Sequence, residues 1–400
     1  MIEISNFRQG AVLNHNHGIE SENALRITVE GISKAGYPVY VNGSRAEMDG
    51  QYFQLEIDLK EKINQLKAET VTPYGTYAQE LTLVWDKKSY RRYDFYIDDH
   101  SFLFTDLARE RPQRAFDHFY LKALKNIRKK YDFKVTLNCF YHNDHHGFDL
   151  KDMPDIWKSE FIDNSDWLKF SFHSYSEFPD RPYLETTREA FARDWDLVQN
   201  EIIRFAGQEC YIPPVVIHWA NIHPVAAQEL IRRGSRVYMG PMRPRVMGGP
   251  SLAERQKGGN MDAVQKNAYQ RDRYDNDALM LHYGFADEAN YIKKHGVLYN
   301  TGLGIGQYGY CSAIGGCCCN LVPLDQIPIR LHHIFERGAQ AGLEIYHAGS
   351  HEQYSYKYYP NYLPDHLQRI EEAVRCMTEE GNCKAAFYNY GFFGNTAWGD

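Results

Sequence analysis

Tyr93-Asp94-Phe95-Tyr96-Ile97-Asp98-Asp99-His100 is the stretch from which the rest of this chain can be read. Residues 93–97 form a short apolar strand, and two adjacent carboxylates stand at its end. Such a pair is costly unless it shares a proton or faces a cation. Further along, Phe172-His173-Ser174-Tyr175-Ser176-Glu177 places a histidine and a carboxylate four residues apart, a spacing that can close around one metal ion. Together the two segments point to metal-assisted hydrolysis.

The texture of the chain differs on the two sides of that strand. Before it, Leu25, Ile27 and Val29 alternate, as do Phe53, Leu55, Ile57 and Leu59, and then Leu81, Leu83 and Trp85. Asn42-Gly43 is a hairpin turn signal. Residues 1–88 therefore read as a small, Ig-like β-sandwich, with Asp86-Lys87-Lys88-Ser89 as the junction. Beyond it, residues 89–400 alternate strands and helices. Phe116, Phe119, Ala123, Ile127 and Tyr131 fall at helical spacing, and Phe133, Val135, Leu137 and Cys139 at strand spacing. Leu168–Phe172, Val215–Ile217, Leu343–Tyr346 and Ala385–Tyr388 are further strands. Helices come from Trp195, Val198, Ile202 and Phe205, from Pro224–Arg233, and from Leu367, Ile370, Val374 and Met377. This rhythm predicts parallel βα units, hence a barrel or an open sheet. Residues 240–300, polar and rich in Gly, Arg and Asn, read as a long loop or insertion.

Composition narrows the function. A net charge of −7 argues against nucleic acid as a partner. No window approaches the roughly eighteen apolar residues of a membrane span. MIEISNFRQG lacks the basic start and apolar core of a signal peptide, which makes a cytoplasmic location the default expectation. The eight cysteines form no spaced pairs, and the run Cys317-Cys318-Cys319, with Cys311 before it, reads as free thiols. Thirty tyrosines are many, and flat, amphipathic rings suit a sugar ligand.

In a parallel βα architecture, sites form at the C-terminal strand ends. Asp98-Asp99, His173, His218-Trp219 and His351-Glu352 fall at or shortly after four of them, a coincidence that a scatter of 17 histidines would seldom produce. At this point the large domain resembles the polysaccharide deacetylase superfamily, a distorted (β/α) barrel of metal-dependent deacetylases. Asp98-Asp99 match its Asp-Asp motif, and His173-Ser174 match its His-Ser/Thr-x-x-His motif, with Glu177 in the final position. The resemblance implies Asp98 as general base, Asp99, His173 and Glu177 as ligands of a divalent metal (zinc, or cobalt), and His351 as general acid. His218 is the alternative ligand where Glu177 is not one. His100 stands where the family has Gly. Trp219, Tyr175 and Tyr354 are stacking candidates for a carbohydrate substrate, with Glu352 beside them.

Two other readings stay open at this stage. One is a glycoside hydrolase or lyase that pairs Asp98 with Glu177 or Glu352 without metal, which requires roughly 5–10 Å between carboxylates. The other is an inert carbohydrate-binding barrel. His142-Asn-Asp-His-His146 is dense in ligand types but too contiguous for a tetrahedral site, and Gly302-Leu-Gly-Ile-Gly306 lacks the Lys-Ser/Thr of a phosphate loop.

Overall fold

The computed structural model describes residues 2–399 apart from 8–9, 35, 184, 221–222, 240–296, 301–308 and 313–315. The chain is mixed α/β. Its first part forms two facing sheets, because each long strand alternates apolar and polar residues and can bury only one face. Leu25–Ser33 pairs with Tyr52–Leu59, and Ile63–Thr72 with Gly75–Trp85. Leu25, Ile27, Val29, Leu66, Leu83 and Trp85 fill the space between them. Asn42 and Gly43 both take positive φ, as a tight two-residue hairpin between Val39–Val41 and Ser44–Arg45 demands.

The second part is a six-stranded sheet whose pairings are all parallel. Its strands are β1 (Arg92–His100), β2 (Val135–Phe140), β3 (Leu168–Ser174), β4 (Cys317–Cys318), β5 (Ile345–His351) and β6 (Lys384–Ala385). The order is β3-β2-β1-β5-β4, with β6 beside the start of β1. The connecting helices are α1 (Phe102–Glu110), α2 (Phe119–Tyr131), α3 (Arg188–Phe205), α4 (Pro224–Arg232), α5 (Ile327–Gln340) and α6 (His366–Arg375). Tyr93, Phe95 and Ile97 of β1, with Val135 and Leu137 of β2, share one core with Leu121, Leu124, Val198, Ile202, Ile334 and Ile370 of the helices. The alternate residues, among them Asp94, Asp98, Asn138 and Ser171, are buried as well. The other face of this sheet is therefore polar, which a purely structural sheet would avoid.

Some expectations change. Among the described residues the sheet is open, and no closed barrel forms. Val215–Ile217 is not a strand. The segment makes one bridge, Tyr211 to Phe170, and Pro213-Pro214 then remove the N–H groups that a ladder needs. The last strand is only Lys384–Ala385. The first part is also not closed on itself: Val297–Asn300 pairs with Ala11–Leu13 through Leu298 and Ala11, and Val12 and Val84 belong to the core of the second part. Gly302–Gly306 and most of 240–300 lie outside the described residues. No helix among the described residues is long and apolar enough to cross a membrane.

The junction is held by a buried ion pair. Arg92 Nη2 lies 3.0 Å from Asp86 Oδ2, both side chains essentially without exposure. Arg92 also donates to the carbonyls of Tyr90, Phe392 and Phe393, and Asn395 donates to Asp86. Removing one member leaves the other charge buried, so Arg92→Met is expected to cost roughly 3–5 kcal/mol in denaturant unfolding. A second ionic knot joins α3 to α4. Glu229, buried, accepts from Arg188, Arg232 and Arg233, and these guanidinium groups, Arg232 foremost, pull its carboxyl down to about 2. A depressed carboxyl adds stability above its unfolded value of 4.5, and this is lost as pH falls through 2. The stability advantage of the wild type over Glu229→Gln should accordingly shrink as unfolding is measured from pH 5 down to pH 2.

Candidate metal centre

Strand alternation would send Asp98 and Asp99 to opposite faces of β1. A bulge prevents that. Ile97 pairs with Leu137 and His100 with Cys139, so Asp98 and Asp99 together face the single residue Asn138. Asp99 takes φ +66° to make the turn, a conformation Asp tolerates better than most residues. A second bulge sits next door. Cys139 pairs with Phe172 and Phe140 with Ser174, which makes His173 the extra residue of β3. His100 is carried to the other face, where its Nε2 meets the Tyr120 hydroxyl at 3.1 Å. Burial lowers His100 to about 3, so it is neutral.

The result is a convergence of ligand atoms. Asp99 Oδ1 lies 3.2 Å from His173 Nε2 and 3.4 Å from His218 Nδ1. All three residues are buried, and their ligand atoms lie within 4.8 Å of one another. Asp99 Oδ1 nevertheless has no hydrogen-bond partner. Ligands about 2.0–2.1 Å from a tetrahedral zinc are about 3.3 Å apart, so these spacings suit atoms that share a cation. His218 donates Nε2–H to the Glu177 carbonyl at 2.9 Å, which leaves Nδ1 as the free lone pair facing Asp99. The Phe140 ring packs against both imidazoles, 5.4 Å from His173 and 5.0 Å from His218.

Asp98 and His351 flank this group. They are in register on β1 and β5. Asp98 Oδ1 accepts from Asn138 Nδ2 at 2.7 Å and is 3.8 Å from His173 Nδ1. His351 Nδ1 is 3.0 Å from Asn320 Oδ1 and 3.8 Å from Cys318 Sγ. The electrostatics follow from the crowding. Burial works to raise the Asp99 carboxyl, but the His351 charge and the imidazoles of His173 and His218 outweigh it and hold it well below the carboxylate range. Burial works to lower His351 and is outweighed by Asp99, Cys318 and Asp98, so it is pushed up to about 10.

The structure brings Asp98, Asp99, His173, His218 and His351 together. It does not bring Glu177 or Glu352 into the cluster. The Glu177 carboxylate is 2.6 Å from His145 Nε2 and accepts from Gln353, and the group of ligand atoms that converges contains His218 and not Glu177. Glu352, expected at the substrate, is fully buried and accepts from the backbone N–H groups of Ser101, Phe102 and Leu103, at 2.8, 2.9 and 2.6 Å. It caps α1 from another element, and burial pushes its carboxyl up to about 8 against the pull of those donors. Around the rim, Tyr175 stacks on Tyr141, and Arg181 covers a face of Trp219 at 5.1 Å. Tyr354 packs 6.4 Å from the His351 ring. Of the contiguous histidines, His142 pairs with Asp149 across a hairpin.

Asn138 and Asn320 were not anticipated. Asn138 had a signal, a polar residue inside the apolar run Val135–Phe140; Asn320 had none. No protein-family model matches this chain, and no match to it was found among the curated proteins. The capping role of Glu352 is open to a direct check. Glu352→Gln keeps the size but replaces an acceptor by a donor facing N–H groups, and should cost roughly 1–3 kcal/mol in chemical unfolding.

Proposed function

We propose that this chain is a metal-dependent hydrolase that removes an acyl group, acetyl above all, from a sugar or polysaccharide. Its parallel sheet would be part of a distorted (β/α) barrel akin to the polysaccharide deacetylases, with the sandwich ahead of it in the chain. The observation that carries the reading is the spacing of Asp99, His173 and His218, with Asp98 and His351 on either side.

Asp99, His173 and His218 would hold zinc or a similar ion such as cobalt; two imidazoles and one carboxylate are a donor set that such ions accept. When bound, a divalent ion supplies a more acidic water and a polarised acyl carbonyl. The chain's own residues do the rest. Asp98, oriented by Asn138, takes the proton of the attacking water. His351, held through Nδ1 by Asn320, keeps Nε2 for protonating the leaving amine or alcohol. Tyr175, Tyr354 and Trp219 would pack against sugar rings. Carboxylate-only hydrolysis is disfavoured because both partners it needs, Glu177 and Glu352, are engaged elsewhere.

The test is acetate release from a panel of acetylated sugars, with metal content measured alongside. His173→Ala should lose one equivalent of bound zinc together with activity. Asp98→Asn should keep the zinc and lower kcat by about 10²–10⁴-fold. Acetate release that survives both a chelator and Asp99→Ala would refute the proposal.

A further inference from the structure

Away from Asp99, both ring nitrogens of one buried histidine lack a hydrogen bond. His118, the residue before α2, is 3% exposed, and neither ring nitrogen has a hydrogen-bond partner. Its ring lies 4.7 Å from that of Phe119 and 6.3 Å from that of Tyr356. A neutral imidazole carries one N–H and one lone pair, and burying either unmatched costs roughly 1–3 kcal/mol. Its Nε2 faces Asp106 Oδ2 at 3.7 Å, too far for a hydrogen bond.

The acidic side of this contact holds two carboxylates. Asp106 and Glu110 are four residues apart on α1 and so share a face. Ligand atoms of Asp106, Glu110 and His118 lie within 4.8 Å of one another. The Tyr358 hydroxyl donates to Asp106 Oδ1 at 3.1 Å, which orients the carboxylate and leaves Oδ2 toward His118. Glu110 is the last residue of α1, where the negative end of the helix favours a cation.

We infer that Asp106, Glu110 and His118 form a second divalent-cation site, separate from that of Asp99, which takes zinc or an ion of similar character. One imidazole nitrogen and two carboxylates suit such an ion, and the exposure of Glu110 leaves water to complete the coordination. The ion would be a staple. It ties the end of α1, the helix that follows Asp99, to the start of α2 across residues 111–117.

Zinc content after dialysis against zinc chloride, read by elemental analysis, tests this on the full chain. Wild type should hold one equivalent more than Asp106→Asn/Glu110→Gln, a pair at the outer, accessible side of the site. The same difference should persist in a His173→Ala/His218→Ala background, which separates this site from the proposed catalytic one. The zinc-dependent rise in Tm should shrink in the Asp106→Asn/Glu110→Gln variant. Equal zinc in the members of either pair would overturn the inference. His118→Gln should remove the same equivalent, and if that buried substitution does not fold, the surface variant still decides.

Discussion

Three backbone N–H groups at the start of α1 converge on one buried carboxylate, and the geometry of the site hangs on that contact. Glu352 follows directly on His351 at the end of β5, while Ser101, Phe102 and Leu103 follow Asp98 and Asp99 at the end of β1. The carboxylate thus locks two adjacent strand ends together just where the flanking groups of the site emerge. An ordinary helix cap is local to its own helix; this one spans the sheet, so the stability of α1 and the placement of His351 against Asp98 are one interaction.

The second constraint is the pair of bulges. Each adds one residue to a strand, and at β1 the added residue, Asp99, brings to the site a carboxylate that regular pleating would have turned away. The cost is a left-handed Asp99 and a crowded set of buried charges. Their mutual electrostatics show how this crowding is tolerated: the imidazoles hold Asp99 ionised, and the carboxylates hold His351 protonated. Opposite charges in a poorly solvated place sustain one another, and a cation among the ligands would serve the same end.

Much of the fold was legible in the chain. The change from alternating to strand-helix texture near residue 88 marks where the sandwich sheets give way to parallel strands, and the helical spacings of Phe119–Tyr131 and Trp195–Phe205 match α2 and α3. Val215–Ile217 misled because an apolar run says nothing about hydrogen bonding, and the two prolines before it stop the ladder. Glu177 stands outside the converging group for a similar reason. A four-residue spacing speaks of reach along one segment, but the segment turns after Ser174, and the nearer His145 captures the carboxylate. Glu352 looked like a site residue because it adjoins one; its side chain points the other way, into the helix start.

What the sequence by itself determined is the inventory and its order: apolar strands that must be buried, each ending in groups that are costly to bury alone. Those costs are local and can be read residue by residue. Only the tertiary structure decided which of these groups meet. Bulges reverse the faces of neighbouring residues, hydrogen bonds from distant segments claim carboxylates, and His218, far along the chain from Asp99, arrives at 3.4 Å. Contacts of that kind depend on distances across the sheet, and a linear pattern contains no measure of them.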